Sequence, residues 1–526
     1  MRGSRLPQPA DRLGYLWLGI GTVLSLFAVH GRWDVPVAAW LYGVFLLRYT
    51  RTRRPFVGFV GVWAASAVSA AFWLYESGVD VLSPILLLCL ALSTVLTVPY
   101  LVDRLLAPRL GVPGALVATL VFPLARVCAE YVNAMFSPAG SIFGSLAATQ
   151  HDNRPLLQVA AVTGSYGVSF LIAWFAAVCA GVWERRFSWP AIRIPVLAYG
   201  VVLGMVVIGG GVRLALFPPS AGTVRVAGVS PTRSALAHRT AMLDSFASLS
   251  QLAQADPALL RPVFATVTDD LLAASEREAR AGARIIVWPE TGAGVLTGDR
   301  AELITRVGVL ARAHGVYLEL GLGVLSRQQP YVRNQAVLID PRGQVVWTYE
   351  KAHPVPGLEE LTPGDGVVPT VDTPYGRLGN LICFDADFPS LARQGGSQGV
   401  DLMLVPSNDW REFGEAHTEK ATLRAIENGY SLVRQDTNGL AQTVDYQGRV
   451  LASSNYFTSD QQTMVAYVPS KGVRTIYAAV GDVFAWLCVA ALAVLVGVAA
   501  RRAVRWPVRP LAGRPAVAKR ASVGSP

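Results

Sequence analysis

Cys383 lies in Asn380-Leu381-Ile382-Cys383-Phe384-Asp385, where an apolar run gives way to a polar turn, and alone among the five cysteines it falls outside a hydrophobic stretch. Two other apolar runs end on groups that could activate a thiol: Glu290 closes Ile285-Ile286-Val287-Trp288-Pro289-Glu290, and Lys351 follows Val345-Val346-Trp347-Thr348-Tyr349-Glu350. A thiol attacks a carbonyl well only as thiolate, so it needs a base or a positive charge beside it. Glu290 is a candidate proton acceptor, and Lys351 could steady both a thiolate and the oxyanion of a tetrahedral intermediate. Taken singly, Cys383 equally suits a buried strand end, and Glu290 and Lys351 suit a solvated or ion-paired surface. Their joint pattern, each at a strand end, favours an activated nucleophile.

Strands must carry these residues to one place. Short β-rich runs recur at 224–229, 284–288, 316–324, 335–339, 345–349, 378–383, 402–406, 431–435 and 463–468. Between them, 262–281, 299–314 and 415–429 show the three- and four-residue apolar spacing of amphipathic helices. Pro341-Arg342-Gly343 and Tyr446-Gln447-Gly448 read as hairpin turns. An α/β layered domain follows, over residues 221–475, long enough to bury its own core.

The rest of the chain is too apolar for an ordinary soluble enzyme: of 526 residues 52% are hydrophobic and 16% charged, with a mean hydropathy of +0.39. At about 20 apolar residues per crossing, residues 1–220 hold seven expected spans, near 12–30, 35–50, 55–75, 80–101, 112–135, 156–182 and 194–217. An eighth, near 478–499, occupies 476–500, and 501–526 reads as a basic, disordered tail. Arg126 and Glu130 interrupt the fifth span, either as a mutual pair or as the lining of a lipid-entry cavity. Arginines concentrate in alternate loops: Arg2, Arg5 and Arg12; Arg48, Arg51, Arg53 and Arg54; Arg104 and Arg109; Arg185 and Arg186; and the tail Arg501, Arg502, Arg505 and Arg509. This asymmetry predicts cytoplasmic termini and an extracytoplasmic 221–475. It also accounts for much of the net charge of +10 without nucleic acid as partner. Four cysteines fall in spans, so the exported domain, with one thiol, has no internal disulfide.

Trp288-Pro289-Glu290, Tyr349-Glu350-Lys351-Ala352-His353 and Ile382-Cys383-Phe384-Asp385, in this order, resemble the Glu-Lys-Cys triad of the nitrilase superfamily, as do Arg424-Ala425-Ile426-Glu427-Asn428 and Thr437-Asn438-Gly439. Seven spans before such a domain and one after it, with Pro155-Leu156-Leu157-Gln158 and Gly164-Ser165-Tyr166-Gly167-Val168-Ser169-Phe170, are similar to the bacterial apolipoprotein N-acyltransferases. The resemblance implies a multi-pass α-helical membrane domain joined to an α-β-β-α four-layer sandwich. It implies Cys383 as nucleophile, Glu290 as general base and Lys351 as oxyanion stabiliser, with Glu359, Asp385 and Phe384 in support and Trp410 and Asn408 near the substrate. The family pattern is not kept throughout. Its Pro-Phe-Gly-Glu reads Pro356-Gly357-Leu358-Glu359, Asp385 replaces a Glu and Phe384 a Tyr, one residue is missing before Trp410, and 230–240 carries His238 but no Trp.

The implied activity is transfer of a fatty acyl chain from a phospholipid, through a thioester on Cys383, to the α-amino group of a diacylglyceryl-cysteine at the N-terminus of an apolipoprotein. It needs no metal or organic cofactor, follows ping-pong kinetics, and takes place at a bacterial inner membrane. A membrane-anchored nitrilase-type amidase would use the same triad with water as second nucleophile. A non-catalytic scaffold or sensor would be expected to lack a triad member.

Overall fold

The computed structural model of the chain describes residues 12–110, 115–220, 222–459 and 462–505. Arg2, Arg5, Arg509 and the tail from 506 onward lie outside the described residues. Helices α1 (Gly14–Leu26), α2 (Pro36–Thr52), α3 (Pro55–Glu76), α4 (Ile85–Leu106) and α5 (Ala115–Phe136) come first. The short α6 (Arg154–Leu157) and α7 (Ala160–Thr163) precede α8 (Ser165–Glu184) and α9 (Trp189–Leu216). Pro36 and Pro55 open α2 and α3, where a missing N–H costs nothing. Each of the seven expected spans falls on a helix. Five of these helices, with the last helix of the chain, are long and apolar enough to cross a membrane, whereas α1 and α2, at 13 and 17 residues, are shorter. The sixth span begins nine residues later than expected, because Gly164 takes φ +66° and a β-carbon there would meet the Tyr477 ring at 2.7 Å.

Within the helices, Arg126 Nε meets Glu130 Oε1 at 2.8 Å with both side chains buried, so the pair exists. It also organises the chain between α5 and α6. Arg126 donates to the Gly144 carbonyl, while Glu130 accepts from the Leu146 N–H and the Ser169 hydroxyl of α8.

The remainder is two mixed sheets packed face to face between helices. After β1 (Thr223–Val229) come α10 (Arg233–Leu243), α11 (Leu249–Gln254) and α12 (Pro257–Arg280), then β2 (Ile285–Val287), β3 (Ala293–Leu296) and α13 (Arg300–His314). β4 (Tyr317–Leu325), β5 (Val332–Ile339) and β6 (Val345–Glu350) complete the first sheet with β13 (Thr463–Pro469), in the order β13-β1-β2-β4-β5-β6, with β3 pairing β4. The second sheet runs β12 (Val450–Asn455), β11 (Leu440–Val444), β10 (Ser431–Thr437), β9 (Leu402–Asn408), β8 (Gly376–Asn380) and β7 (Thr370–Thr373). Side-chain alternation sorts the first sheet's faces. Val224, Val226, Ile285, Val287, Ala336 and Leu338 meet Leu378, Leu402, Leu404 and Leu432 between the sheets, while Ala227, Ile286, Trp288 and Val337 pack outward on α12 and α13. α14 (Pro389–Gln398) and α15 (Gly414–Asn428) cover the second sheet, which completes the four layers. α16 (Ile476–Val480) leads into α17 (Val483–Arg505).

Breaking the Arg126–Glu130 pair should therefore loosen the segment between α5 and α6. Arg126→Ala leaves a buried carboxylate unmatched and is expected to cost about 3–5 kcal/mol, with Arg126→Met plus Glu130→Leu costing less. Unfolding midpoints in detergent check this, and a double variant no better than the single would contradict the pairing.

Candidate active site

Glu290, Lys351 and Cys383 each sit just past a strand. Glu290 follows β2, and its N–H crosses to the other sheet to donate to the Ser407 carbonyl of β9 at 3.2 Å. Gly321 of β4 permits this turn, since a β-carbon there would lie 1.8 Å from the Pro289 carbonyl oxygen. Lys351 follows β6, and its backbone is held by the Asn334 carbonyl and the Gly364 N–H. Cys383 follows β8 on a 3-10 turn, Cys383–Asp387, rather than ending the strand as the sequence reading had it.

The Lys351 ammonium is buried between two carboxylates, 2.8 Å from Glu290 Oε1 and 2.8 Å from Glu359. Asn334 Nδ2 donates to the same Glu290 oxygen at 2.6 Å. Burial opposes the charge on Lys351, but Glu290, Cys383 and Glu359 outweigh it and raise its pKa. Burial, together with Glu290, raises Glu359 above the usual carboxylate range. The Cys383 thiol is pushed well up by burial and then by Glu290 and Asp409, against Lys351 and Arg434. The resting thiol is therefore protonated and depends on a base as it reacts.

Cys383 has φ +46°, a left-handed conformation costly for a side-chain-bearing residue. Asp385 holds it there: the buried carboxylate accepts from the Ile382 N–H at 3.1 Å, the His353 N–H at 2.8 Å and the Tyr349 hydroxyl at 2.8 Å. Asp385 thus ties the cysteine turn to the lysine loop. Phe384 packs edge-on against Phe388, whose ring stacks on His353.

The sulfur's own polar neighbours were not singled out from the sequence. Asp409 Oδ1 lies 3.7 Å from it and Arg434 Nη2 3.8 Å. Arg434 donates to Asp409 Oδ2 at 2.8 Å and lies 2.9 Å from His417 Nδ1, which also contacts Asp409 at 2.7 Å. His417 Nε2 meets Asp387 at 2.7 Å, and Lys420 meets Asp387 at 3.0 Å and donates to the Ser141 carbonyl of the membrane portion. Asn408, the candidate one residue earlier, is engaged with Asn438 instead. Cys383, Asp409 and His417 could together ligate a cation, but Arg434 donates to Asp409, lies 2.9 Å from His417 Nδ1 and already supplies a positive charge there.

Beside this polar cluster is an apolar cavity of about 60 Å³. Trp73, Cys89 and Leu92 of α3 and α4 line it together with Phe384, Leu358 and Trp410, so residues next to each site loop form its wall. Trp410 stacks on Phe413 and donates to the Ser77 carbonyl at the end of α3.

Residues 19–178 match the family model described as apolipoprotein N-acyltransferase N-terminal domain, and 246–478 match that described as carbon-nitrogen hydrolase. An apolipoprotein N-acyltransferase of Geobacter metallireducens is 28% identical over 77% of this chain and 77% of its own length. One of Bradyrhizobium diazoefficiens is 28% identical over 67% and 68%. Over about three quarters of its length the chain is similar to apolipoprotein N-acyltransferases. It is a membrane-embedded acyltransferase of the nitrilase superfamily. A deaminated glutathione amidase of Yersinia enterocolitica, 26% identical, matches only 42% of this chain but 89% of its own. Among solved structures, an amidase from Nesterenkonia sp. is 21% identical over 48% of this chain and 92% of its own, with a TM-score of 0.36.

The network behind the sulfur carries a pH signature. Burial disfavours the Asp387 carboxylate, but Lys420 and His417 outweigh it and hold its pKa below the ordinary range; burial also opposes charge on His417, but Asp409 and Asp387 prevail and raise it. The Asp387 contribution is thus present above about pH 4 and lost as pH falls, whereas that of His417 is full below about pH 6.5 and lost as pH rises through its higher folded value. The difference in melting temperature between wild type and His417→Gln should be greatest between these limits. A difference that grows toward alkaline pH would contradict the assignment.

Proposed function

We propose that this acyltransferase takes a fatty acyl chain from a phospholipid onto Cys383 and passes it to the α-amino group of the diacylglyceryl-cysteine of an apolipoprotein. The observation that carries this reading is the apolar cavity, which opens from α3 and α4 onto the turn that bears the thiol. An acyl chain can lie there without entering water, an exposure that would cost about 0.8 kcal/mol per CH₂. The relative named as a deaminated glutathione amidase matches 42% of this chain, and simple amide hydrolysis would give the helices that line the cavity no role.

In the first step the Cys383 sulfur attacks the ester carbonyl and Glu290 accepts the thiol proton. Lys351 and the Phe384 N–H hold the oxyanion, and the lysophospholipid leaves with the proton from Glu290. In the second, the acceptor amine attacks the thioester, Glu290 takes the amine proton, and the thiol is re-formed. Glu359 keeps Lys351 charged and in place while Glu290 changes protonation state. The arginine-rich loops support an extracytoplasmic site, with both termini cytoplasmic.

Intact mass spectrometry after incubation with phospholipid tests the first step. Wild type should gain one acyl chain, Cys383→Ala none, and a diacylated lipopeptide should remove it by gaining an amide; an adduct lost equally fast to water alone would favour hydrolysis. Lys351→Met should slow acylation about 10²–10³-fold, the usual consequence of deleting an oxyanion contact. Leu92→Trp should narrow the cavity, lowering the rate with long-chain donors at least about tenfold while sparing short-chain esters, as expected for displaced apolar contacts. Equal effects on both donors would place the acyl chain elsewhere.

A further inference from the structure

The segment Pro155–Gln158, marked out by its family resemblance, takes no part in the chemistry at Cys383 and leads to a second cavity. This one, of about 620 Å³, lies where the last turn of α9 meets the β11–β12 hairpin and the start of α16, and it shares no lining residue with the cavity at the thiol. Arg213 Nη1 donates to Gln158 Oε1 at 3.0 Å, Gln158 Nε2 to the Gln447 carbonyl at 3.1 Å, and Gln447 Nε2 to the Phe217 carbonyl at 2.7 Å. The hairpin is thereby fastened over the end of a membrane helix.

Two features of the cavity are unbalanced. Arg213 and Arg474 both line it, no acidic residue does, and neither guanidinium has a carboxylate within 4.0 Å among the described residues. The nearby Asp445 instead accepts the N–H groups of Gln447 and Arg449. Gln447, 1% exposed, keeps its Oε1 without a hydrogen-bond partner. An anion is needed for the arginines and a donor for the amide oxygen. The rim supplies the third clue: Leu216 and Phe217, at the end of an apolar helix 28 residues long, are 69% and 66% exposed, and Ile476, at the start of α16, is 55% exposed. Exposed apolar side chains around paired arginines at this depth match the boundary between acyl chains and head groups.

We propose that this cavity seats the head group of a glycerophospholipid, with the phosphate on Arg213 and Arg474, a head-group O–H or N–H on Gln447 Oε1, and the acyl chains along α9. Glycerol and ethanolamine head groups satisfy both ends of the site. A choline head group satisfies only the arginines, and diacylglycerol neither. The site is independent of the acyl-transfer reading, and its occupant holds the catalytic portion against the bilayer rather than reacting.

The test uses the delipidated full-length protein in detergent, with lipid occupancy read by native mass spectrometry and the hairpin read by hydrogen exchange. Phosphatidylglycerol and phosphatidylethanolamine should protect residues 445–449, phosphatidylcholine less so, and diacylglycerol not at all. Arg213→Gln and Arg474→Gln should each weaken this occupancy about tenfold or more, the scale of a lost charge-assisted hydrogen bond, while acylation of Cys383 stays unchanged. If Arg213→Gln does not fold, Arg474→Gln, at an exposed side chain, decides. Unchanged occupancy and protection in the folded variants would overturn the site. Equal protection by glycerol phosphate would reduce it to a small-anion site and overturn the lipid.

Discussion

A single ammonium group, Lys351, is removed from water between Glu290 and Glu359, and much of the site's order follows from the need to match that charge. A buried ion is tolerated only where opposite charges and hydrogen bonds replace its hydration. Its two carboxylates come from different stretches of chain, the end of β2 and the loop after β6, so both must converge for the lysine to be buried at all. Asn334 then fixes the shared Glu290 oxygen. A second buried system, Asp409, Arg434, His417, Asp387 and Lys420, balances charge on the other side of the sulfur. The thiol is flanked by buried charges that are already paired with one another, which favours pre-organisation over rearrangement during reaction.

The same electrostatic chain joins the two portions of the molecule. Lys420 reaches the Ser141 carbonyl, Ser141 donates both its N–H and its hydroxyl to the Asp387 carbonyl, and Trp410 donates to Ser77. The segment that bears Ser141 is in turn braced by Arg126 and Glu130 inside the helices. Charges in the membrane portion therefore help to place backbone atoms at the catalytic turn. The apolar cavity exploits this junction, since its walls come from α3, α4 and the segment after α5 together with the loops that bear Leu358, Phe384 and Trp410.

Much of the architecture was legible because periodicity survives burial. Helices α12, α13 and α15 and most strands of the sandwich fall within a few residues of their expected places, and the hairpins at Gly343 and Gly448 join β5 to β6 and β11 to β12. The strands β3, β7, β11 and β12 and the helices α10, α11 and α14 were missed, being too brief or too polar for a clear pattern. At the site, Glu290, Lys351, Glu359 and Cys383 were visible as strand-end or motif residues. His417 reads as one residue of the amphipathic helix at 415–429, and Arg434 as one more residue of an apolar strand. Nothing local marks either as a neighbour of the sulfur, because Arg434 is 51 residues from Cys383 along the chain.

The sequence by itself determined the class of molecule: its apolar runs require a bilayer, its alternating strands require a sandwich, and its Glu, Lys and Cys at strand ends are the candidate reacting groups. Those are properties of single segments, set by hydropathy and side-chain chemistry. Only the tertiary structure decided which charges meet. It put Asp409 rather than Asn408 against the thiol, bent Cys383 into a left-handed turn with Asp385 as its brace, and opened an apolar cavity between helices and loops far apart in sequence. These depend on two sheets and a helical bundle being brought together, and the cost of burying unmatched charge selects one arrangement among the many that the same segments would otherwise allow.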